Sequence, residues 1–252
     1  MSISIIIPVR IDHIDRYINT ELTINYLTSH FNYKIIVIEN SSEFQVPLMN
    51  ISHEKITYIQ QYSKDKLFPR MKMINDGLDL VETVITMIYD ADILLPLKTF
   101  GEIENHILNK NYHIVQPFSN PPGCIYIHQK NKNIDPKKDI DAYLFKKNDK
   151  TGFAGKGFVV CVNTDTYKSI GGENEDFLAY GPEDNERYFR FNALGYNSGV
   201  IDGKVFHLEH FRGENSSSSN PHFHNNHKLF ESLKTMSVSE LKDYYAKKSR
   251  FK

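Results

Sequence analysis

Residues 84–92 read VITMIYDAD, a run of β-branched, apolar and aromatic residues that ends in Asp90, Ala91 and Asp92. The run does not alternate between polar and apolar positions, so it predicts a short strand that is buried on both faces. Such strands are typical of parallel sheets covered by helices. Ligands bind at the carboxyl ends of these strands. The segment therefore places two aspartates at the ligand-binding edge of an α/β fold.

Segments of the same kind alternate with helical patterns along the rest of the chain. Buried strands are predicted at residues 4–9, 34–39, 55–60, 113–116, 152–162 and 199–208. Helices are predicted at residues 15–30, 68–81, 100–109 and 182–194, and from residue 237 to the end. Residues 128–150 are polar and rich in Lys and Asn, and they predict a mobile loop or lid. The alternation predicts a mostly parallel central sheet with helices on both faces.

The composition narrows the possible classes of function. The chain has 252 residues, 40% of them hydrophobic, which is enough for one large α/β domain or two small ones. The formal net charge of -1 provides no basic field for nucleic acid, which we exclude as a partner. Cys124 and Cys161 lie far apart, so we expect no disulfide and a reducing compartment. No apolar run resembles a signal peptide or a membrane span, so we expect a cytoplasmic protein.

Asp90 and Asp92 form the first candidate site. In an extended segment, side chains two residues apart point the same way, so both carboxylates could face one divalent cation or its phosphate ligands. Hard oxygen ligands suit Mg²⁺ or Mn²⁺. The same spacing also occurs in a solvated turn after a strand, so the interpretation depends on the surrounding motifs.

A second acidic pair, Glu183 and Asp184, lies in LAYGPEDNERYF at residues 178–189. Two acids at the start of a predicted helix could simply complement the helix dipole. Alternatively, one of the two carboxylates is a general base that takes a proton from an attacking hydroxyl.

Histidines supply the third candidate site. His207 and His210 lie in VFHLEHFR at residues 205–212, and this pair suggests a metal site, although a single histidine is usually structural. A further group, His222, His224 and His227, follows a four-serine run and predicts a solvated loop.

Five segments, taken in order, resemble the catalytic domain of the β-1,4-galactosyltransferase family, which has the GT-A fold, and related bacterial glycosyltransferases. The segments are IIIPVR at 5–10, FPRMKMINDGL at 68–78, YDADILLP at 89–96, LAYGPEDNER at 178–187 and HLEH at 207–210. The match covers roughly residues 3–212. The resemblance implies a Rossmann-like α/β domain that binds a nucleotide-diphospho-sugar.

The resemblance also implies a role for each matching residue. Asp184 would be the catalytic base, and Tyr180 and Glu183 would bind the acceptor. Asp92, His207 and His210 would hold Mn²⁺ or Mg²⁺. The donor, a UDP-sugar, would contact Pro8, Arg10, Glu39, Phe68, Arg70, Asp90 and Asp92.

The chain departs from that family at three positions of the site. Tyr180 stands where the family has Trp, His207 stands where vertebrate members have Met, and Pro182 replaces the second glycine of Gly-Gly-Glu-Asp. Histidine is a harder ligand than Met and still suits Mn²⁺. The family's membrane anchor and stem have no counterpart, so bacterial enzymes that build surface polysaccharides or lipid-linked glycans are the closer setting.

The implied reaction is an inverting, metal-dependent transfer of a hexose or N-acetylhexosamine from a UDP-sugar to a hydroxyl of a glycan or lipid-linked acceptor. Three alternatives remain open. A sugar nucleotidyltransferase would normally have a glycine-rich loop after its first strand, where this chain has PVRIDHID. A retaining transferase would not need the acidic pair as a base. A non-catalytic nucleotide-sugar or glycan-binding protein of the same fold is the third alternative.

The domain organisation follows from the motif positions. Residues 1–215 are predicted to form one GT-A catalytic domain, with a nucleotide-sugar-binding half at 1–116 and an acceptor- and metal-binding half at 150–215. Residues 216–252 would add a loop and a basic helix. Lysines and arginines alternate there with aromatic residues, which indicates either a solvated helix end or peripheral contact with the inner face of an anionic membrane.

Overall fold

The computed structural model describes residues 2–213 and 217–251 of the chain. The strands of this part are β1 (Ile3–Val9), β2 (Lys34–Ser41), β3 (Ile56–Tyr62), β4 (Ile85–Tyr89), β5 (Ile93–Leu94), β6 (Ile114–Gln116), β7 (Cys124–Ile127), β8 (Lys150–Gly152), β9 (Val159–Asn163), β10 (Ser198–Val200) and β11 (Val205–Leu208). Its α-helices are α1 (Ile14–His30), α2 (Arg70–Leu78), α3 (Leu97–Glu104), α4 (Thr164–Ser169), α5 (Glu183–Ala193), α6 (Phe223–Lys234) and α7 (Val238–Lys248).

Seven strands form the central sheet in the order β10-β6-β9-β4-β1-β2-β3. The strands β1 to β4 run parallel, β6 pairs in parallel with β10, and β9 is antiparallel to both of its neighbours. Every residue of β1 and β4 is buried, as expected for non-alternating apolar strands. The predicted mostly parallel α/β sheet is therefore confirmed, and the carboxyl ends of β1 and β4 lie side by side.

A second, four-stranded sheet has the order β5-β11-β7-β8 and lies beyond the aspartate motif. The prediction of one final strand at 199–208 is wrong, because β10 joins the large sheet and β11 joins the small one. The break falls at Asp202 and Gly203, where a polar turn interrupts the apolar pattern. Strand β7 was not predicted from the sequence. It pairs with β11, the strand that carries His207, and helps to hold that histidine in place.

The large sheet separates two hydrophobic layers because alternate residues of its strands face opposite sides. Ile5 packs in the layer with α1 and α3, whereas Ile6 packs in the layer with α2, α5 and α7. Helix α2 lies so close to β1 that a Cβ on Gly77 would come within 2.8 Å of Ile6 Cγ2. The glycine of the FPRMKMINDGL motif thus permits the approach that places the amino end of α2 beside the carboxyl end of β1.

Residues 128–150, expected to be a mobile lid, are anchored to the domain. The Lys132 side chain is 5% exposed and forms an ion pair with Asp15 of α1. Within the segment, the Asp149 carboxylate accepts hydrogen bonds from the backbone N–H groups of His128 and Lys146 and from the side chains of Asn131 and Tyr143. Short-range polarity indicated a loop, but the long-range ion pair between Lys132 and Asp15 was not visible in the sequence.

The end of the chain folds against the α2 and α5 layer. Leu233 of α6 and both Leu241 and Tyr245 of α7 are buried there. Helix α7 begins at Ser237 with a capping box to Glu240, which confirms its predicted start. The expectation of a loop at 222–227 is wrong, because His222 occupies the N-cap position of α6 and His224 and His227 lie within that helix. The side chains of His224 and His227 are exposed, as expected.

Two expectations from composition can be compared with the described residues. Cys124 and Cys161 are both free, as predicted, and both are buried. Among residues 2–213 and 217–251, no helix combines the length and the apolar character needed to cross a bilayer.

Candidate active site

One cleft of about 600 Å³ opens at the carboxyl ends of β1 and β4. The amino ends of α2 and α5 and the end of β11 also reach this cleft. Eleven of the twelve predicted site residues line it: Pro8, Arg10, Phe68, Arg70, Asp90, Asp92, Tyr180, Glu183, Asp184, His207 and His210. Motifs that lie up to about 200 residues apart in the chain therefore meet in one place.

Asp92, His207 and His210 form a cluster whose ligand atoms all lie within 4.8 Å of one another. Pairing between β5 and β11 produces this arrangement, since Ile93 lies opposite His207 and the Leu208 N–H donates to the Asp92 carbonyl. Within the described residues, it is the one group of three potential ligands that comes together.

The protonation of this cluster suits a divalent cation. His210 Nδ1 lies 2.6 Å from the Phe211 carbonyl, and its Nε2 lies 2.9 Å from Asp92 Oδ2. With Nδ1–H donating to that carbonyl, Nε2 and Asp92 Oδ2 would both be available to one cation. Burial lowers the pKa of His207 to about 4, which keeps its imidazole neutral and able to ligate. Carboxylate and imidazole ligands are those expected for Mn²⁺ and related ions.

Arg70 connects the two acidic motifs across the cleft. It is the first residue of α2, and its guanidinium lies 2.8 Å from Asp90 Oδ1 and 3.7 Å from Asp184 Oδ1. Burial raises the pKa of Asp90 to about 6, an effect that Arg70 opposes and that the charges of Asp92 and Asp184 reinforce. Arg70, whose side chain is 13% exposed, thus bridges the aspartate motif and the acidic pair.

Glu183 and Asp184 begin α5 but lie in different surroundings. The side chain of Asp184 is 22% exposed and pairs with Arg187 at 3.0 Å. Glu183 is only 6% exposed, and its Oε2 has no hydrogen-bond partner. Burial, together with the charge of Asp184, raises the pKa of Glu183 to about 8. The expectation that the helix start favours ionisation of both acids is therefore wrong for Glu183, because burial outweighs the dipole.

Glu39 is the predicted residue that does not reach the cleft. Its buried carboxylate accepts hydrogen bonds from the N–H groups of Gln45 and Val46 and from the Tyr58 hydroxyl. It thereby holds the chain after β2 in place, and both of its oxygens are engaged. The sequence located it correctly at a strand end but could not show that neighbouring backbone groups would occupy it.

Arg10 lines the cleft, but its guanidinium is engaged by the protein. It donates to the backbone carbonyls of Asn40, Asp65, Lys66 and Leu67, and it lies 5.4 Å from the centre of the Phe68 ring. Its role in this structure is to fix the loop before α2, which carries Phe68.

Tyr180 lies at the mouth of the cleft on a loop that α6 holds. The ring is 42% exposed and stacks on Phe223 with the ring centroids 6.0 Å apart. Asn226 accepts a hydrogen bond from the Leu178 N–H and donates to the carbonyls of Leu178 and Tyr180. Helix α6 therefore fixes the loop that carries Tyr180.

Several residues that line the cleft were not predicted: Arg16, Asn19, Thr20, Tyr126, Lys156 and Arg212. The first three lie on the first turns of α1, directly after β1. A helix that follows a strand in a parallel sheet turns its amino end towards the ligand edge, so their position was inferable. Tyr126 was missed because β7 was not predicted.

The sheet order is that of a GT-A-type α/β fold, and a comparison with solved structures supports this fold. The mannosyltransferase PcManGT from Pyrobaculum calidifontis, solved with GDP-Man and Mn²⁺, matches 92% of this chain and 61% of its own at 13% identity, with a TM-score of 0.54. The catalytic domain of Drosophila β1,4-galactosyltransferase 7, solved with xylobiose, matches 79% of this chain and 63% of its own at 15% identity, with a TM-score of 0.42.

The fold assignment rests on the first of these structures. This chain spans about three fifths of the length of the archaeal enzyme. No protein-family model and no curated protein matches the sequence. The likeness is therefore one of fold, and the chemistry must be argued from the cleft.

Proposed function

We propose that this protein is a metal-dependent, inverting glycosyltransferase that uses a UDP-sugar. The observation that supports this proposal is that the Asp92, His207 and His210 cluster and the Glu183–Asp184 pair line one cleft. A metal-binding group at one end and a carboxylate at the other suit a donor with a diphosphate leaving group and an acceptor hydroxyl. When bound, a divalent cation would supply Lewis-acid stabilisation of that leaving group.

In the proposed reaction, Asp184 takes the proton of the acceptor hydroxyl while the hydroxyl oxygen attacks the anomeric carbon. A new C–O bond forms as the bond from that carbon to the diphosphate breaks, so the configuration inverts. General-base assistance of this kind is typically worth about 10²–10⁴-fold. Glu183, buried and protonated at neutral pH, can hydrogen-bond the acceptor as a neutral acid, and Tyr180 offers it an aromatic face.

For the donor sugar we propose a hexose or an N-acetylhexosamine. Gly155 lines the cleft, and the atoms nearest to a Cβ built there belong to the Phe158 ring, at 3.5 Å or more. The resemblance suggests that Gly155 replaces a bulky tyrosine of galactose-specific relatives, which leaves room for an N-acetyl group. UDP-GalNAc or UDP-GlcNAc should then be used at least as well as UDP-Gal, and a strong preference for UDP-Gal in kcat/KM would contradict this.

The setting we propose is the cytoplasmic synthesis of a bacterial surface polysaccharide on a glycan or lipid-linked acceptor. The aromatic and basic side chains of the C-terminal helix that could contact a membrane mostly make contacts within the chain. Tyr245 is buried, Tyr244 donates to Asp176, and the cations of Lys248 and Arg250 pair with acids of the same chain. We therefore do not include such contact in the proposed function.

A nucleotide-release assay tests the proposal. UDP-Gal, UDP-Glc, UDP-GalNAc, UDP-GlcNAc and GDP-mannose are incubated with the protein, first in EDTA and then with added Mn²⁺. We expect release of UDP from at least one donor only when the ion is present. Release that is undiminished in chelator would contradict the metal assignment, and consumption of UTP and a sugar phosphate would indicate a nucleotidyltransferase.

The variant Asp92→Ala should lose Mn²⁺ binding and UDP binding together, because the ion would bridge the protein and the diphosphate. His53→Ala, an exposed histidine outside the cleft, is the matched control. Titration calorimetry with Mn²⁺ alone and then with UDP measures both. Binding of UDP with wild-type affinity by Asp92→Ala would remove Asp92 from the site.

A further inference from the structure

The side chain of Asp184 contacts a fully buried ion pair between Arg187 and Glu173. Arg187, one turn along α5, is 0% exposed and donates from Nη1 to Asp184 Oδ1 at 3.0 Å. Its Nε and Nη2 atoms donate to Glu173 Oε1 at 2.9 and 2.5 Å. One guanidinium therefore joins the proposed base to a carboxylate that is itself 3% exposed.

Glu173 is fixed in turn by the helix that carries Arg70. The Asn75 side chain on α2 accepts the Glu173 N–H at 2.7 Å and donates to the Glu173 carbonyl at 3.0 Å. The contacts thus run from Arg70 to Asp184, Arg187, Glu173 and Asn75, and they return to the helix on which they began. Both ends of this circuit are set by α2, which packs on β1 through Gly77.

Gly157 limits the position of Asp184 from the opposite side. A Cβ built on Gly157 would lie 1.8 Å from Asp184 Oδ2. The carboxylate therefore occupies the space that any other residue at 157 would fill. The Gly157 carbonyl also lies 3.3 Å from Nη2 of Arg70, which ties this loop to the same group of residues.

We infer that Glu173, Arg187 and Gly157 are positioning residues that hold the Asp184 carboxylate in the orientation required for proton transfer. The inference rests on the proposed function of Asp184 as the base. Arg187 is shielded from solvent and directed at an oxygen of Asp184, whereas an arginine serving only for stability could pair with Glu173 alone. Misplacing a reacting group by about 1 Å can cost about 10²-fold in rate.

Three substitutions change the surroundings of the Asp184 carboxylate in different ways. Glu173→Gln keeps the shape of the partner of Arg187 and removes its charge. Arg187→Lys keeps the buried charge and removes the two-pronged contact. Gly157→Ala adds one methyl group on a partly exposed loop, so it displaces Asp184 without touching the buried ion pair and is the variant least at risk of unfolding.

Arg190→Lys is the matched control. Arg190 lies on the same helix, is also 0% exposed, and forms an ion pair with Glu186 at 3.1 Å. Its ion-pair partner is Glu186, and it makes no ion pair with Asp184. It reports what the loss of a buried arginine does to stability alone.

The measurements are kcat for transfer with the donor found in the release assay, the Kd for UDP with Mn²⁺, the melting temperature, and crystal structures of Glu173→Gln and Gly157→Ala. We expect kcat to fall by about 10²-fold in both variants, with the Kd for UDP within about twofold of wild type. Arg187→Lys should retain more kcat than Arg187→Met. Arg190→Lys should lower the melting temperature and keep kcat.

Two results would overturn the inference: unchanged kcat in Gly157→Ala, or losses of kcat that follow melting temperature equally in the variants and the control. If wild-type protein releases no nucleotide from any donor, the proposed function fails. The crystal structures then decide the positioning on their own. Displacement of the Asp184 carboxylate in Glu173→Gln would support it, and an unmoved carboxylate would refute it.

Discussion

Glu183 and Asp184 are neighbours in the sequence, yet the fold gives them opposite chemical characters. Asp184 faces the cleft between two guanidinium groups, at 3.0 Å from Arg187 and 3.7 Å from Arg70. The Asp184 side chain is 22% exposed and can be reached from the cleft. Glu183 lies in a buried site without a hydrogen-bond partner for Oε2, and burial raises its pKa to about 8. We therefore propose Asp184 as the base and Glu183 as an acceptor-binding residue.

The assignment of the base predicts the effect of Asp184→Asn, which keeps the shape of the side chain and removes its basicity. We expect kcat to fall by about 10²-fold or more, with little change in UDP affinity, because a base acts in the transition state. Steady-state kinetics and calorimetry measure the two effects. Asp165→Asn, at an exposed first turn of α4, is the control. A near-normal kcat, or a product that retains the anomeric configuration of the donor, would exclude this mechanism.

The raised pKa of Glu183 predicts how stability depends on pH. Its pKa is about 8 in the folded protein against a model-peptide value of 4.5. As the pH rises between these values, the unfolded chain releases the proton and the folded chain keeps it, so stability falls. Glu183→Gln cannot ionise and should melt at a higher temperature than wild type at pH 8–9, with the difference vanishing towards pH 4.5. Parallel melting curves across this range, recorded in EDTA, would show that Glu183 is not buried as described.

Helix α6 and the turn before it hold the loop that carries Tyr180. Asn220 and Asn226 both donate to the carbonyls of Leu178 and Tyr180. Ala179 between them has a φ of 55°, a conformation that non-glycine residues rarely adopt. A Cβ on Gly181 would lie 2.7 Å from Asn226 Nδ2. The loop is thus held in an unfavourable backbone conformation by side chains that lie 40 to 48 residues away.

This arrangement predicts that Asn226→Ala loosens the Tyr180 loop and leaves the donor site intact. Loss of the buried hydrogen bonds should cost about 1–3 kcal/mol, seen as a lower melting temperature. The KM for the acceptor should rise while the Kd for UDP with Mn²⁺ stays constant. Asn225→Ala, the exposed neighbour on the same helix, is the control. An unchanged acceptor KM in Asn226→Ala would show that the contacts of α6 with the Tyr180 loop do not affect acceptor binding.

At the scale of the molecule, the last helix is part of the core. Leu241 and Tyr245 of α7 are 1% and 3% exposed, and the Tyr245 hydroxyl donates to the buried Glu186 at 2.6 Å. The Arg190 guanidinium lies 4.1 Å from the centre of the Tyr245 ring. The tail therefore covers the charged network of α5, and its aromatic residues serve the fold.

Removing residues 237–252 should consequently destabilise the whole domain. Each buried large apolar side chain contributes about 1.5–3 kcal/mol, and the truncation also uncovers Glu186 and Arg190. For a chain of this size, we expect the melting temperature to fall by about 10 °C or more. Lys247→Ala, an exposed change on the same helix, should leave it unchanged. If the truncated protein has the same melting temperature as the full chain, α7 does not contribute to the stability of the domain.

The sequence by itself determined the class of fold and eleven of the residues that line the cleft. Local information located the ligand-binding edge, because an apolar run such as 85–89 indicates a buried strand and ligands bind at the end of such a strand. Pro8, Arg10, Phe68, Arg70 and Tyr180 came from the family resemblance. The pairing of acids after β4 and at the start of α5 was likewise visible in order and spacing. Eleven of twelve predicted residues consequently line the same cleft.

Only the tertiary structure decided what each of these residues can do. Glu39 and Arg10 form hydrogen bonds that fix neighbouring loops, and burial raises the pKa of Glu183 to about 8. Burial and distant partners set the charge and the hydrogen bonding of each of these side chains. For the same reason, residues 128–150 are tied to α1 by an ion pair, and residues 223–227 are part of helix α6. These outcomes depend on contacts such as Lys132 with Asp15 and Asn226 with Leu178, whose partners lie far apart in the chain and follow no local period.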